Sequence, residues 1–103
     1  MNELHRLRES WVPLGDPAAK RFNEQLRLEL TDSHPLCTLT LCAAARSEAS
    51  DDVLYRNLFN QEWVLVHLTW AQTANADYPK YRTFNTIEEF ITYAEAHQLF
   101  NEE

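Results

Sequence analysis

The side chains of this sequence with the most chemistry in them are four histidines, two cysteines and one adjacent pair of aspartates. His67 sits inside "EWVLVHLTW", Glu62 to Trp70, an apolar and β-branched run. In an extended chain its ring shares a face with Trp63, Leu65 and Thr69, while Val64, Val66, Leu68 and Trp70 point the other way. A histidine that does chemistry needs a second and third group converging on it. His34, Asp51 and Asp52 each stand at the end of an element beside the expected sheet. A small enzyme or ligand-binding site would use His67, His34 and Asp52. A histidine without that task must still be hydrogen-bonded, since an unsatisfied buried ring costs roughly 1–3 kcal/mol. We read His67 as structural, satisfied inside the sheet by a backbone carbonyl or a carboxylate. No catalytic residue is assigned.

The histidines, His5, His34, His67 and His97, show no HxH, HxxxH or HExxH spacing, so no metal site is expected. Cys37 and Cys42 have opposite parity in an extended chain and point to opposite faces, which prevents a mutual bridge. Asp51–Asp52 precedes a strand and suits an Asx-type turn. Gly15 is the only glycine. That excludes a P-loop, a GxGxxG dinucleotide fingerprint and a GxSxG elbow, and no cofactor is expected.

These groups must be positioned by elements that fit in one domain, residues 1–103. Asp16 as cap and Pro17 at the first helical position start a helix that runs to about Leu30, with Ala19, Phe22, Leu26 and Leu30 on one face. Pro35 stops it. In "PLCTLTLCAAA", Cys37, Leu39 and Leu41 alternate with Thr38, Thr40 and Cys42, which predicts a strand. "VLYRNL" is a second strand, "FNQE" a turn, and "WVLVHLTW" a third strand apolar on both faces, as in the middle of a sheet. "YRTF" is a short edge strand. Asn85 with Glu88 resembles a capping box before a last helix from Thr86 to His97. The expected fold is α+β, in the order α-β-β-β-β-α: an antiparallel sheet of about four strands with the helices packed on one face.

"SHPL" (Ser33–Leu36), "DDVLY" (Asp51–Tyr55) and "VHLTW" (Val66–Trp70), with Pro79 and the "IEEF" of Ile87–Phe90, resemble a group of small, stand-alone bacterial proteins of unknown function. The resemblance spans residues 17 to 92. It implies a single bacterial α+β domain and transfers no catalytic residue.

Residues 1–46 carry six Lys/Arg and six Asp/Glu, whereas residues 47–103 carry three against ten, the whole of the net charge of −7. Duplex binding needs the reverse balance, so no nucleic-acid partner is expected. No apolar run approaches the ~20 residues of a membrane span, and the N-terminus lacks an apolar signal core, which makes a cytoplasmic location the expectation. An acidic half with tyrosines among the acids predicts a face for a basic protein partner, with rings as anchors and charges steering approach. That face comprises Glu48, Asp51, Asp52, Asp77, Tyr78, Tyr81, Glu88, Glu89 and Tyr93. The function expected is an immunity or antitoxin-like inhibitor that neutralises a basic, nuclease-type toxin by contact. The alternatives are the His67 site above and a structural or adaptor homodimer.

Overall fold

A computed structural model of the chain describes residues 11–48, 51–70, 74 and 79–96. The elements are β1 (Trp11–Pro13), α1 (Asp16–Glu29), a 3-10 turn (Pro35–Thr38), β2 (Leu41–Ser47), β3 (Asp52–Asn57), β4 (Trp63–His67), β5 (Lys80–Phe84) and α2 (Ile87–Ala96). The strands form one five-stranded sheet in the order β1-β2-β3-β4-β5, antiparallel throughout. The fold is α+β, as expected, with one more strand. The extra strand is β1, whose three residues pair with Ala45–Ser47. Three residues ending in a proline carry too little alternation to be recognised as a strand.

The helices lie on opposite faces, not on one. Successive residues of a strand point to opposite sides. Val53, Tyr55, Val64 and Val66 pack with Ala19, Phe22 and Leu26 of α1, while Leu54, Trp63, Leu65 and Phe84 pack with Ile87, Phe90 and Ala94 of α2. A sheet centre that is apolar on both sides needs two covering layers, and one helix covers each.

α1 begins one residue earlier than expected. Gly15 is its cap, in extended backbone, and Asp16 stands in the first turn at the positive end of the helix. α2 starts with a capping pair one residue later than expected. Thr86 Oγ1 accepts the Glu89 N–H at 3.2 Å, and the Glu89 carboxylate accepts the Asn85 N–H at 2.9 Å.

β2 begins only at Leu41, because Pro35–Thr38 coil into the 3-10 turn. A bulge then shifts its register between Ala43 and Ala45. The bulge carries its own partners: the Ala43 N–H donates to Asn23 Oδ1 at 2.7 Å, and the Ala44 carbonyl accepts the Leu14 N–H at 2.9 Å. β4 is shorter than expected and ends at His67, beyond which Leu68 donates its N–H to the Asp51 carbonyl.

Candidate functional site

One end of the sheet gathers Arg21, Arg46, Asp51, Asp52, His67 and Lys80, and the buried Glu29 holds the chain beside it. This last residue of α1 is only 2% exposed. Its carboxylate accepts the Thr69 N–H at 2.9 Å, the Thr69 hydroxyl at 2.9 Å, the Trp70 N–H at 2.7 Å and a Gln25 amide N–H at 2.7 Å. A buried carboxylate survives only when its lone pairs are filled in this way. The clamp turns the chain out of β4 and holds Trp70 at φ 59°, a region that bulky residues rarely enter. The Trp70 ring then stands edge-on to Phe22, 5.7 Å between centroids, with the Arg21 guanidinium 5.7 Å from its own centroid. It walls a cleft of about 430 Å3 that also takes in Arg46, Asp51 and Asp52.

Asp52 and His67 are cross-strand partners on β3 and β4. His67 Nδ1 lies 2.8 Å from Asp52 Oδ1. A carboxylate accepts, so Nδ1 carries the proton and Nε2 is directed away from Asp52. The expectation of a carboxylate partner holds, but the ring is not inside the sheet. It closes the end of β4, with its side chain 57% exposed, beside Lys80, Arg82 and Tyr93 in a shallow cavity of about 270 Å3. With the His67 ring open to water, the pair is screened and contributes ~1 kcal/mol or less. His67→Gln should therefore lower the unfolding free energy, read from urea titration, by no more than that. A loss of ~2 kcal/mol or more would return His67 to a buried structural role.

His34 does not join it. His34 is buried, its Nδ1 accepts the Leu36 N–H at 3.1 Å, and its Nε2 lies 3.1 Å from the Pro79 carbonyl. Nδ1 must be unprotonated to accept, so Nε2–H donates to Pro79. Both nitrogens hold loops in place. The ring tilts against Tyr81, whose register partner Val66 belongs to the α1 face, while His67 shares the α2 face with Leu65. Both thiols are free, Cys37 exposed in the 3-10 turn and Cys42 on β2. Among the described residues no group of three or more His, Cys, Asp or Glu is placed to hold a metal ion. Burial raises the Tyr55 phenol pKa well above its ordinary value, with the Glu29 and Cys42 charges adding to the effect. Its hydroxyl donates to the Phe22 carbonyl at 2.8 Å.

The residues expected to form a partner face are divided. Glu48 and Asp51 are exposed and Asp52 half-buried about the β2–β3 connection. Tyr93, half-buried against Phe84 and beneath Arg82, looks toward the same end. Glu88 and Glu89 are exposed at the start of α2, which follows Phe84 at the other end of the sheet. Tyr81 is exposed on β5 over His34. Asp77, Tyr78, His5 and His97 lie outside the described residues.

A further feature was missed from the sequence. Phe59 is 89% exposed, beside Leu58 at 53%, in the β3–β4 turn. The turn is tied internally. Asn57 Oδ1 accepts the Phe59 N–H at 2.9 Å, the Asn57 carbonyl accepts the Gln61 N–H at 2.7 Å, and Asn60 Oδ1 accepts the Glu62 N–H at 3.0 Å. Leu58 is anchored to the Thr40 carbonyl, next to the exposed Leu39. Phe59 is thus displayed on an ordered turn at the end of the sheet where Glu62, Glu88 and Glu89 stand. The signal in "NLFNQE" is an adjacent Leu–Phe pair inside a polar turn.

Among the described residues no helix is long and apolar enough to cross a membrane. No protein-family model, no curated protein and no solved structure matches this chain.

Proposed function

We propose that this is a small acidic protein-binding domain, an immunity or antitoxin-like inhibitor that neutralises a basic, nuclease-type toxin in the cytoplasm by direct contact. The observation that carries the reading is Phe59. An aromatic side chain 89% exposed, on a hydrogen-bonded turn and beside Leu58, is an apolar anchor held ready for a partner. The net charge of −7 supplies the chemistry of that partner, since acids steer a basic protein to the surface. The enzymatic alternative rests on Asp52 and His67 alone, because His34 is committed to two backbone groups.

The test uses the wild-type chain and Phe59→Ala as baits in the native host, then kinetics on the captured partner. The partner should be basic, and its association should slow as salt rises. Neutralising Glu62 and Glu88 together, at the end of the sheet that displays Phe59, should slow association and flatten that dependence. Phe59→Ala should speed dissociation by ~2 kcal/mol, roughly 30-fold. An acidic partner, or an association rate indifferent to salt and to the double neutralisation, would sink the inhibitor reading. Sedimentation of the free chain completes the test: a dimer that Phe59→Ala dissolves would establish the adaptor homodimer instead.

A further inference from the structure

A cleft where the start of α1 crosses the β2–β3 end of the sheet carries opposite charges that leave one another unpaired. Arg46, half-buried, and Asp51, exposed, both line it. Among the described residues neither makes an ion pair, and the Arg21 guanidinium touches only the Trp70 ring. The Asp52 carboxylate, also in the lining, is turned to His67 on the far face of the sheet. Guanidinium forks and a carboxylate that share one concavity without neutralising each other remain available to a ligand bearing both charges. A ligand with a single charge would meet attraction from one set and repulsion from the other.

The remaining wall is aromatic. Phe22 and Trp70 meet edge to face at 5.7 Å. Trp70 has its unusual backbone at φ 59°, and the buried Glu29 carboxylate accepts its N–H at 2.7 Å. A left-handed backbone held by a buried carboxylate, at the wall of this cleft, is a mark of a preorganised binding surface. The volume of about 430 Å3 falls in the range of small-molecule sites.

We propose that this cleft binds a free α-amino acid with an aromatic side chain. Its carboxylate meets Arg46 and Arg21, its ammonium meets Asp51, and its ring lies against Trp70 and Phe22. The inference is independent of the protein-binding reading, which rests on the opposite end of the sheet.

The test is a titration of the nitrogen-15-labelled chain with L-phenylalanine, followed by NMR. Saturable shifts are expected at the amides of Ser47, Val53 and Trp70. Three comparators each lack one feature: 3-phenylpropionate has no ammonium, phenethylamine no carboxylate, and glycine no ring. Each should bind at least about tenfold more weakly. Arg46→Gln and Asp51→Asn should each weaken L-phenylalanine at least about tenfold while the melting temperature stays put. No saturable shift up to about 10 mM, a concentration where even weak specific binding registers, would overturn the proposal. So would a comparator that binds as tightly as L-phenylalanine, or retention of full affinity in both variants.

Discussion

Glu29→Ala should destabilise the chain by roughly 2–4 kcal/mol, the largest effect expected of any single polar substitution here. The Glu29 carboxylate satisfies donors of Thr69, Trp70 and Gln25 from a position 2% exposed. Removing it leaves the Thr69 and Trp70 amides without their acceptor. Each orphaned buried donor costs ~1–3 kcal/mol, and the exposed side chains of both residues allow some rehydration. Domains of this size hold only ~5–15 kcal/mol in all, so the melting temperature should fall by at least about 8 °C. Glu29→Gln is the informative companion. It preserves shape but turns an amide NH2 toward donors, and should fall between wild type and alanine. Urea unfolding measures all three. An unchanged midpoint in Glu29→Ala would mean that the chain leaves β4 at Thr69 without the clamp, and the preorganisation of Trp70 would lose its basis.

Tyr55 should make the protein sensitive to alkali in a way that a single variant isolates. Its phenol is buried and donates to the Phe22 carbonyl, and burial, with the Glu29 and Cys42 charges adding, raises its pKa. The ordinary value is about 10, which is the value in the unfolded chain. A group whose folded pKa is raised contributes its full stability below the unfolded value and loses it as pH climbs toward the folded one. Below pH ~10 the wild type should therefore exceed Tyr55→Phe by ~1 kcal/mol, the worth of one hydrogen bond. Above that, the unfolded wild type gains about 1.4 kcal/mol per pH unit by ionising, and the phenylalanine variant does not. The two stabilities should cross near pH 11, with wild type the weaker by pH 12. Parallel curves across that window would show that Tyr55 ionises freely in the folded chain.

Much of this molecule was legible because it depends on near neighbours. Pro17 and the Ala19, Phe22, Leu26 stripe mark α1; Ile87, Phe90 and Ala94 mark α2; Val53–Arg56 and the continuous apolar run from Trp63, with side chains alternating between two faces, mark the central strands. The same period correctly placed His67 on the face of Trp63 and Leu65. Strand and helix periodicities are properties of the backbone itself, so a short stretch of sequence is enough to express them.

The site was not legible, because its bonds span the chain. A glutamate in the last turn of a helix is ordinarily solvated, whereas Leu30 packs against the core as its place on the apolar face predicts. Glu29 is buried because β4 delivers two N–H groups to it from Thr69 and Trp70, some forty residues on, and nothing near Glu29 in sequence announces them. His34 likewise bonds one near neighbour, Leu36, and one distant carbonyl, that of Pro79. The bulge at Ala44 resets which residues of β2 face α1, and with it the placing of Arg46 in the cleft. The assignment of one helix to each face follows from how the connections run once both sides of β3 and β4 demand cover. Local sequence thus determined which elements form and which faces are apolar. Tertiary structure alone decided which polar groups become buried, since a buried charge is tolerated only where remote segments bring the donors that satisfy it.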